Sequence, residues 1–150
     1  MTRHRLAKSL HFVLPEGVRA TMVIQAMEER PMECCGLLAG RFHPWGWEAE
    51  TAFPLVNELK SATRFRSEPG SLIAALRLIS HRGLEVVAIY HSHPNTPAFP
   101  STTDLTWRWA EGVADLIISL ARTPPDVRAW QLSDRHFEEI YLLGTVPALA

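Results

Sequence analysis

The segment Glu85-Val-Val-Ala-Ile-Tyr90, running directly into His91-Ser-His-Pro94, constrains this chain more than any other. Its β-branched and aromatic residues suit a buried pleated strand. Side chains alternate along extended chain, so His91 and His93 project from one face, within reach of a single ion. Asp104 follows eleven residues after His93, past a loop stiffened by Pro94, Pro97 and Pro100, in the first turn of an expected helix. Two imidazole nitrogens and one carboxylate oxygen form a typical catalytic zinc set, with a fourth tetrahedral position left for water. The same residues also have a plain structural account. Two polar residues can cap a strand, and Ser101 can cap the helix with Asp104 at its third position, where a carboxylate is favourable. The accounts are compatible, since one helix start can orient a ligand.

Around this segment the chain reads as one α/β domain. At 150 residues it is long enough for a real core and too short for two comfortable domains. Leu10–Leu14 reads as a short strand. Pro15 and Glu16 then open a helix that Pro31 stops, with Val18, Met22, Ile24, Ala26 and Met27 at roughly helical spacing. Glu33–Arg41 is compact, apolar and glycine-bearing, as in a central strand. A turn at His43-Pro44-Trp45-Gly46 returns the chain as Trp47–Val56, where Pro54 signals an edge or a bulge. Ser67-Glu68-Pro69 opens a second helix with Leu72, Ile73, Leu76, Leu78 and Ile79 as its apolar face, ended by Gly83. Ser101-Thr-Thr-Asp104 opens a third, expected through about Glu111. Asp115–Leu120, Val127–Leu132 and Arg135–Leu142 read as closing strands, and Thr145–Ala150 as a fraying end.

Composition removes several functions. Fifteen Lys and Arg against sixteen Asp and Glu leave a formal charge of −1, so there is no general electrostatic footprint for nucleic acid. No apolar run approaches the ~20 residues of a membrane helix, and the apolar stretch behind the basic start is shorter than the ~7–15 residues of a signal-peptide core. No membrane partner and a cytoplasmic setting are therefore expected. Cys34 and Cys35 are adjacent and point to opposite faces of an extended chain. That disfavours a disulfide between them and leaves two small buried side chains on a strand. Trp45 and Trp47 suit hairpin packing; Trp107 and Trp109 cannot share one helix face, so one is expected in the core and one partly exposed. The other five histidines lack ligand spacing.

The run His91-Ser-His-Pro94, six further residues, then Ser101-x-x-Asp104, with Glu33 upstream of Cys-Cys-Gly-Leu-Leu38, resembles the JAMM (MPN-plus) zinc metalloproteases of the short prokaryotic type. The similarity extends over roughly residues 10 to 145, including Ser67-Glu68-Pro69, Tyr90 and Pro100. The resemblance implies a single domain over 1–150, with a mixed, mostly antiparallel sheet flanked by about three helices, similar in architecture to cytidine deaminases. It implies one zinc ion per chain on His91, His93 and Asp104. Glu33 would serve as general base and acid, and Ser101 as a donor to the oxyanion. Asn57 and Ser61 fall where relatives often carry Asn and Ser, which implies a part in a substrate groove.

The implied reaction is hydrolysis of a peptide or isopeptide bond at the C-terminal Gly-Gly of a ubiquitin-like or sulfur-carrier protein. The alternatives are a deubiquitinase-like isopeptidase or a non-catalytic MPN scaffold, and homodimerisation stays open. The intact set of Glu33, His91, His93 and Asp104 speaks against the scaffold. A zinc deaminase would need His-x-Glu and Pro-Cys-x-x-Cys, and the chain has neither.

Overall fold

In the computed structural model, which describes residues 10–106, 111–134 and 136–146, ten elements follow one another. They are β1 (His11–Val13), α1 (Glu16–Glu29), β2 (Cys35–His43), β3 (Gly46–Leu55), α2 (Pro69–His81) and β4 (Glu85–His93). Then come α3 (Thr102–Thr106), β5 (Ala114–Ser119), β6 (Asp126–Ser133) and β7 (His136–Leu143). The strands lie in the order β1-β3-β2-β4-β5-β6-β7, with antiparallel pairing except at β4–β5, β1–β3 and β1–β7. The mixed, mostly antiparallel sheet is as expected. Its closure into a barrel is not visible in the sequence: three residues, His11–Val13, pair with β3 on one side and β7 on the other.

β2 is buried on both faces, which accounts for its unbroken apolar run. Cys34 and Leu38 join a cluster with Phe12, Met22 and Tyr90 beneath α1. Cys35, Leu37 and Ala39 join Phe53, Ala75, Ile79 and Ile89 beneath α2. Both thiols are free and buried, and burial pushes each up to about 12, so they are packing groups as expected. Pro54 lies on the stretch of β3 beyond the reach of β1, where pairing comes from β2 alone.

The helices correct two details. On α1 the stripe of Val18, Met22 and Ala26 faces inward, whereas Ile24 and Met27 are more than half exposed. Ile24 is about 200° round the helix from Met22, so spacing alone overstated the face. On α2, Glu68 accepts from the Gly70 and Ser71 N–H groups and caps the helix start, while Ile73 and Leu78 stay half exposed. The third helix is described from Thr102 through Thr106; residues 107–110, which include Trp107 and Trp109, lie outside the described residues. Trp45 stacks on His43 within the hairpin as expected, whereas Trp47 packs away from the hairpin, stacking on Phe12 of β1 and donating to the Gly112 carbonyl. No helix among the described residues is long and apolar enough to cross a membrane.

Candidate metal centre

The chemistry-bearing residues meet at the C-terminal end of β4. Alternation along this strand sends Ile89 and His91 toward the α2 side, and His93, two further on, shares their face. Tyr90 and Ser92 point the other way: Tyr90 into the cluster under α1, and Ser92 Oγ onto the Cys34 N–H at 2.8 Å. The loop after β4 folds back because three tethers hold it. Ser119 Oγ donates to the Thr96 carbonyl at 2.6 Å, Trp130 Nε1 donates to Ala98 at 2.9 Å, and His93 Nδ1 lies 2.8 Å from the Pro97 carbonyl. Asp104 then arrives in the first turn of α3, where the Asp104 N–H donates to Ser101 Oγ at 3.1 Å and the Ser101 N–H donates to Asp104 Oδ2 at 2.8 Å. This reciprocal cap is the one the Ser-x-x-Asp spacing implies.

The result is a tight triad. His91 Nε2 and His93 Nε2 are 3.1 Å apart, and each lies 3.2 Å from Asp104 Oδ2. A tetrahedral ion with ligand bonds near 2.0–2.1 Å spaces its ligand atoms by roughly 3.3 Å, so the three atoms already stand where a zinc-sized ion needs them. A carbonyl can only accept, so Pro97 fixes the proton of His93 on Nδ1 and frees Nε2 to ligate. The triad is the group of His, Cys, Asp and Glu able to hold a metal among the described residues. Glu33 sits just before β2, buried, with Oε1 lacking any partner among the described residues.

Electrostatics prepare Asp104 and His91 for ligation, while His93 must first give up a proton. Burial favours a neutral Asp104, but hydrogen bonds from His91, His93 and the Ser101 N–H outweigh it and hold the carboxyl well below the usual range. Burial pushes His91 down against the pull of Asp104, leaving a neutral imidazole. For His93 burial also disfavours the cation, but the bonds to Asp104 and the Pro97 carbonyl prevail and raise it. Burial lifts Glu33 to about 8; His93 opposes this and Asp104 reinforces it.

A cavity of about 350 Å³ opens beside the triad, walled by Leu59, Arg64, Phe65 and Ile89 and reaching His91 and Asp104. The Phe65 ring stacks on His91 with centroids 4.6 Å apart. Three supporting residues had no clear signal in the sequence. Phe65 and Ser92 touch the site only through the fold. Gln25 could have been noticed as a polar residue beside the apolar stripe of α1; its Nε2 donates to the Cys35 carbonyl and its Oε1 accepts from Tyr90.

Fold and triad together define a small α/β domain able to hold one metal ion beside a buried carboxylate. The chain belongs to the prokaryotic homologs of the JAB domain, whose family model matches residues 15–133. It is 37% identical over 99 residues to a probable TtuB-protein conjugate cleaving protease of Thermus thermophilus, spanning 63% of this chain and 64% of that protein, just under two thirds of its length. It is 33% identical over 116 residues to the CysO-cysteine peptidase of Mycobacterium tuberculosis, covering 75% of this chain and 77% of the relative. The solution structure of a Desulfitobacterium hafniense protein superposes with a TM-score of 0.81 at 28% identity, over 88% of this chain and 91% of that one.

Proposed function

We propose that the protein is a cytoplasmic zinc metallopeptidase of the JAMM type that hydrolyses a peptide or isopeptide bond at the C-terminal Gly-Gly of a ubiquitin-like or sulfur-carrier protein. The observation that carries the reading is the convergence of His91 Nε2, His93 Nε2 and Asp104 Oδ2 within 3.2 Å of one another, with Glu33, whose Oε1 lacks a partner among the described residues, near enough to feel His93 and Asp104. Relatives named as peptidases acting on TtuB conjugates and on CysO-cysteine supply the substrate class.

In this reading His91, His93 and Asp104 hold one zinc ion, which when bound polarises the scissile carbonyl and acidifies a water. Glu33 takes the proton of the attacking water on its free Oε1 and returns it to the leaving amine. Its position beside His93 and Asp104, with Oε1 lacking a partner among the described residues, suits both steps. Ser101 Oγ already accepts from Asp104 N–H, and its own hydroxyl proton remains to meet the developing oxyanion. The cavity walled by Leu59, Phe65 and Ile89 receives the extended tail of the carrier.

The test is mass spectrometry of carriers ending in Gly-Gly plus a short extension, incubated with zinc-loaded protein. Loss of the extension is expected. Glu33→Gln should retain zinc and lose ~10²–10⁴ in turnover. Carriers that all stay intact, or a Glu33→Gln protein as fast as wild type, would overturn the reading.

A further inference from the structure

Glu33 is not held by the strand it introduces. β2 begins at Cys35, and Cys34 is clamped to Ser92, whose N–H donates to the Cys34 carbonyl at 3.1 Å. Both backbone groups of Glu33 go elsewhere. Its N–H donates to the Ser61 carbonyl at 2.8 Å, and its carbonyl accepts from Asn57 Nδ2 at 3.1 Å. Its side-chain Oε1 has no partner among the described residues, so the loop after β3 is what aims the carboxylate.

Asn57 is the knot of that loop. It is 5% exposed, and every hydrogen-bonding position of its amide is used. Nδ2 also donates to Arg64 O at 3.0 Å, while Oδ1 accepts from Leu59 N–H at 3.1 Å and Arg66 N–H at 3.0 Å. The residues it ties together, Leu59, Arg64 and Arg66, are walls of the cavity beside the triad, and Phe65 between them stacks on His91. A chain seated in the cavity therefore presses on the same loop that holds Glu33.

We propose that Asn57 is a positioning residue that couples the seating of an extended substrate tail against residues 58–66 to the aim of the Glu33 carboxylate. The inference rests on the role given to Glu33 above. It explains why an amide stands at this position. An aspartate keeps the two acceptor bonds that shape the turn, but loses both donors and sets a negative oxygen against two carbonyls.

The test is steady-state kinetics of zinc-loaded Asn57→Asp on a ubiquitin-fold carrier ending in Gly-Gly with a fluorescent extension. Metal content is measured alongside. A base displaced by about an ångström lowers kcat by about 10–100-fold, while KM and zinc content hold within about two-fold because the turn survives. In the Glu33→Gln background the same change should have almost no further effect on kcat, since the residue it acts through is gone. Unchanged kcat in Asn57→Asp, or an equal loss in both backgrounds, would reduce Asn57 to a structural prop. Glu33→Gln turning over like wild type would instead sink the catalytic reading itself.

Hydrogen exchange gives an answer even if Asn57→Asp does not fold. In the Glu33→Gln protein, adding the carrier should slow exchange of the amides at Phe65 and at residue 33 together. Protection at Phe65 without protection at residue 33 overturns the coupling, and protection at neither overturns the carrier reading.

Discussion

Ser101 concentrates two demands on one hydroxyl. Its oxygen caps α3 through the Asp104 N–H, and in the proposed reading its proton serves the oxyanion. As a cap alone, Ser101→Ala should lower stability by ~0.5–2 kcal/mol and leave turnover of the folded protein untouched. As an oxyanion donor it should also lower kcat by up to ~10²–10³ with KM little changed. Ser101→Asp restores the cap but places a negative charge beside the oxyanion, so it should melt higher than the alanine variant and turn over more slowly still. If both variants match wild type where all are folded, Ser101 is only a cap. Glu33 gives a second prediction, for the metal-free protein. Its pKa is raised by burial to about 8 from an ordinary 4.5, so the folded state holds a proton that the unfolded chain has already released. Stability therefore falls as pH rises between those values. Metal-free Glu33→Gln should be more stable than metal-free wild type at pH 8, by an amount on the order of 1–2 kcal/mol because relaxation softens the burial penalty. The gap should close toward pH 4.5; thermal melts in chelator check it, and a gap independent of pH would show that Glu33 is not buried as described.

Among the elements, β2 and β4 decide whether the site forms. Their antiparallel register sets Cys35 opposite His91 and Gly36 opposite Tyr90. The Tyr90 ring lies over Gly36 so closely that a Cβ there would stand 2.1 Å from its Cζ. Tyr90 cannot swing away freely, because its hydroxyl donates to Gln25 Oε1 at 2.5 Å beneath α1. Gly36→Ala should therefore cost about 3 kcal/mol or more, by the mechanism of an overpacked core. It should also weaken metal uptake, since the displaced Tyr90 directly precedes His91. Denaturant unfolding and zinc titration test this together, and a variant with wild-type stability would mean that β2 and β4 can separate at no cost. Here a sequence reading falls short. Glycine in an apolar strand signals a close approach, but the partner lies 54 positions away and only pairing supplies it.

For the whole molecule, a metal ion held by His91, His93 and Asp104 would join β4 to α3 across the proline-rich loop, so it should stabilise the entire fold. Binding to the native state alone adds RT ln(1 + [L]/Kd), or about 2.7 kcal/mol at a hundred-fold excess over Kd. Calorimetry in zinc and in chelator should show the rise in Tm, and His93→Ala should abolish it. An undiminished rise in that variant would remove His93 from the ligand set. The increment should shrink in acid. His93 holds its proton to a higher pH than an ordinary imidazole, and that proton must leave before Nε2 can ligate.

The amino-acid order by itself determined the local half of this protein. Alternation placed His91 and His93 on one face, proline and glutamate marked where α1 and α2 begin, and the Ser101-x-x-Asp104 spacing implied the cap that the structure forms. These follow from rules that act over a few residues, so they survive without knowledge of the fold. The tertiary structure decided the rest. Only packing could leave Ile24 and Met27 in water while drawing Gln25 inward, because both choices depend on what lies above the helix. Only closure through β1 could make a barrel, since three residues carry too little pattern to announce two partners. Asn57 was legible as a groove candidate, but its bond to Glu33 spans 24 positions and two strands. Distance along the chain erases such pairings from the sequence, and the hydrogen bonds of a buried amide restore them.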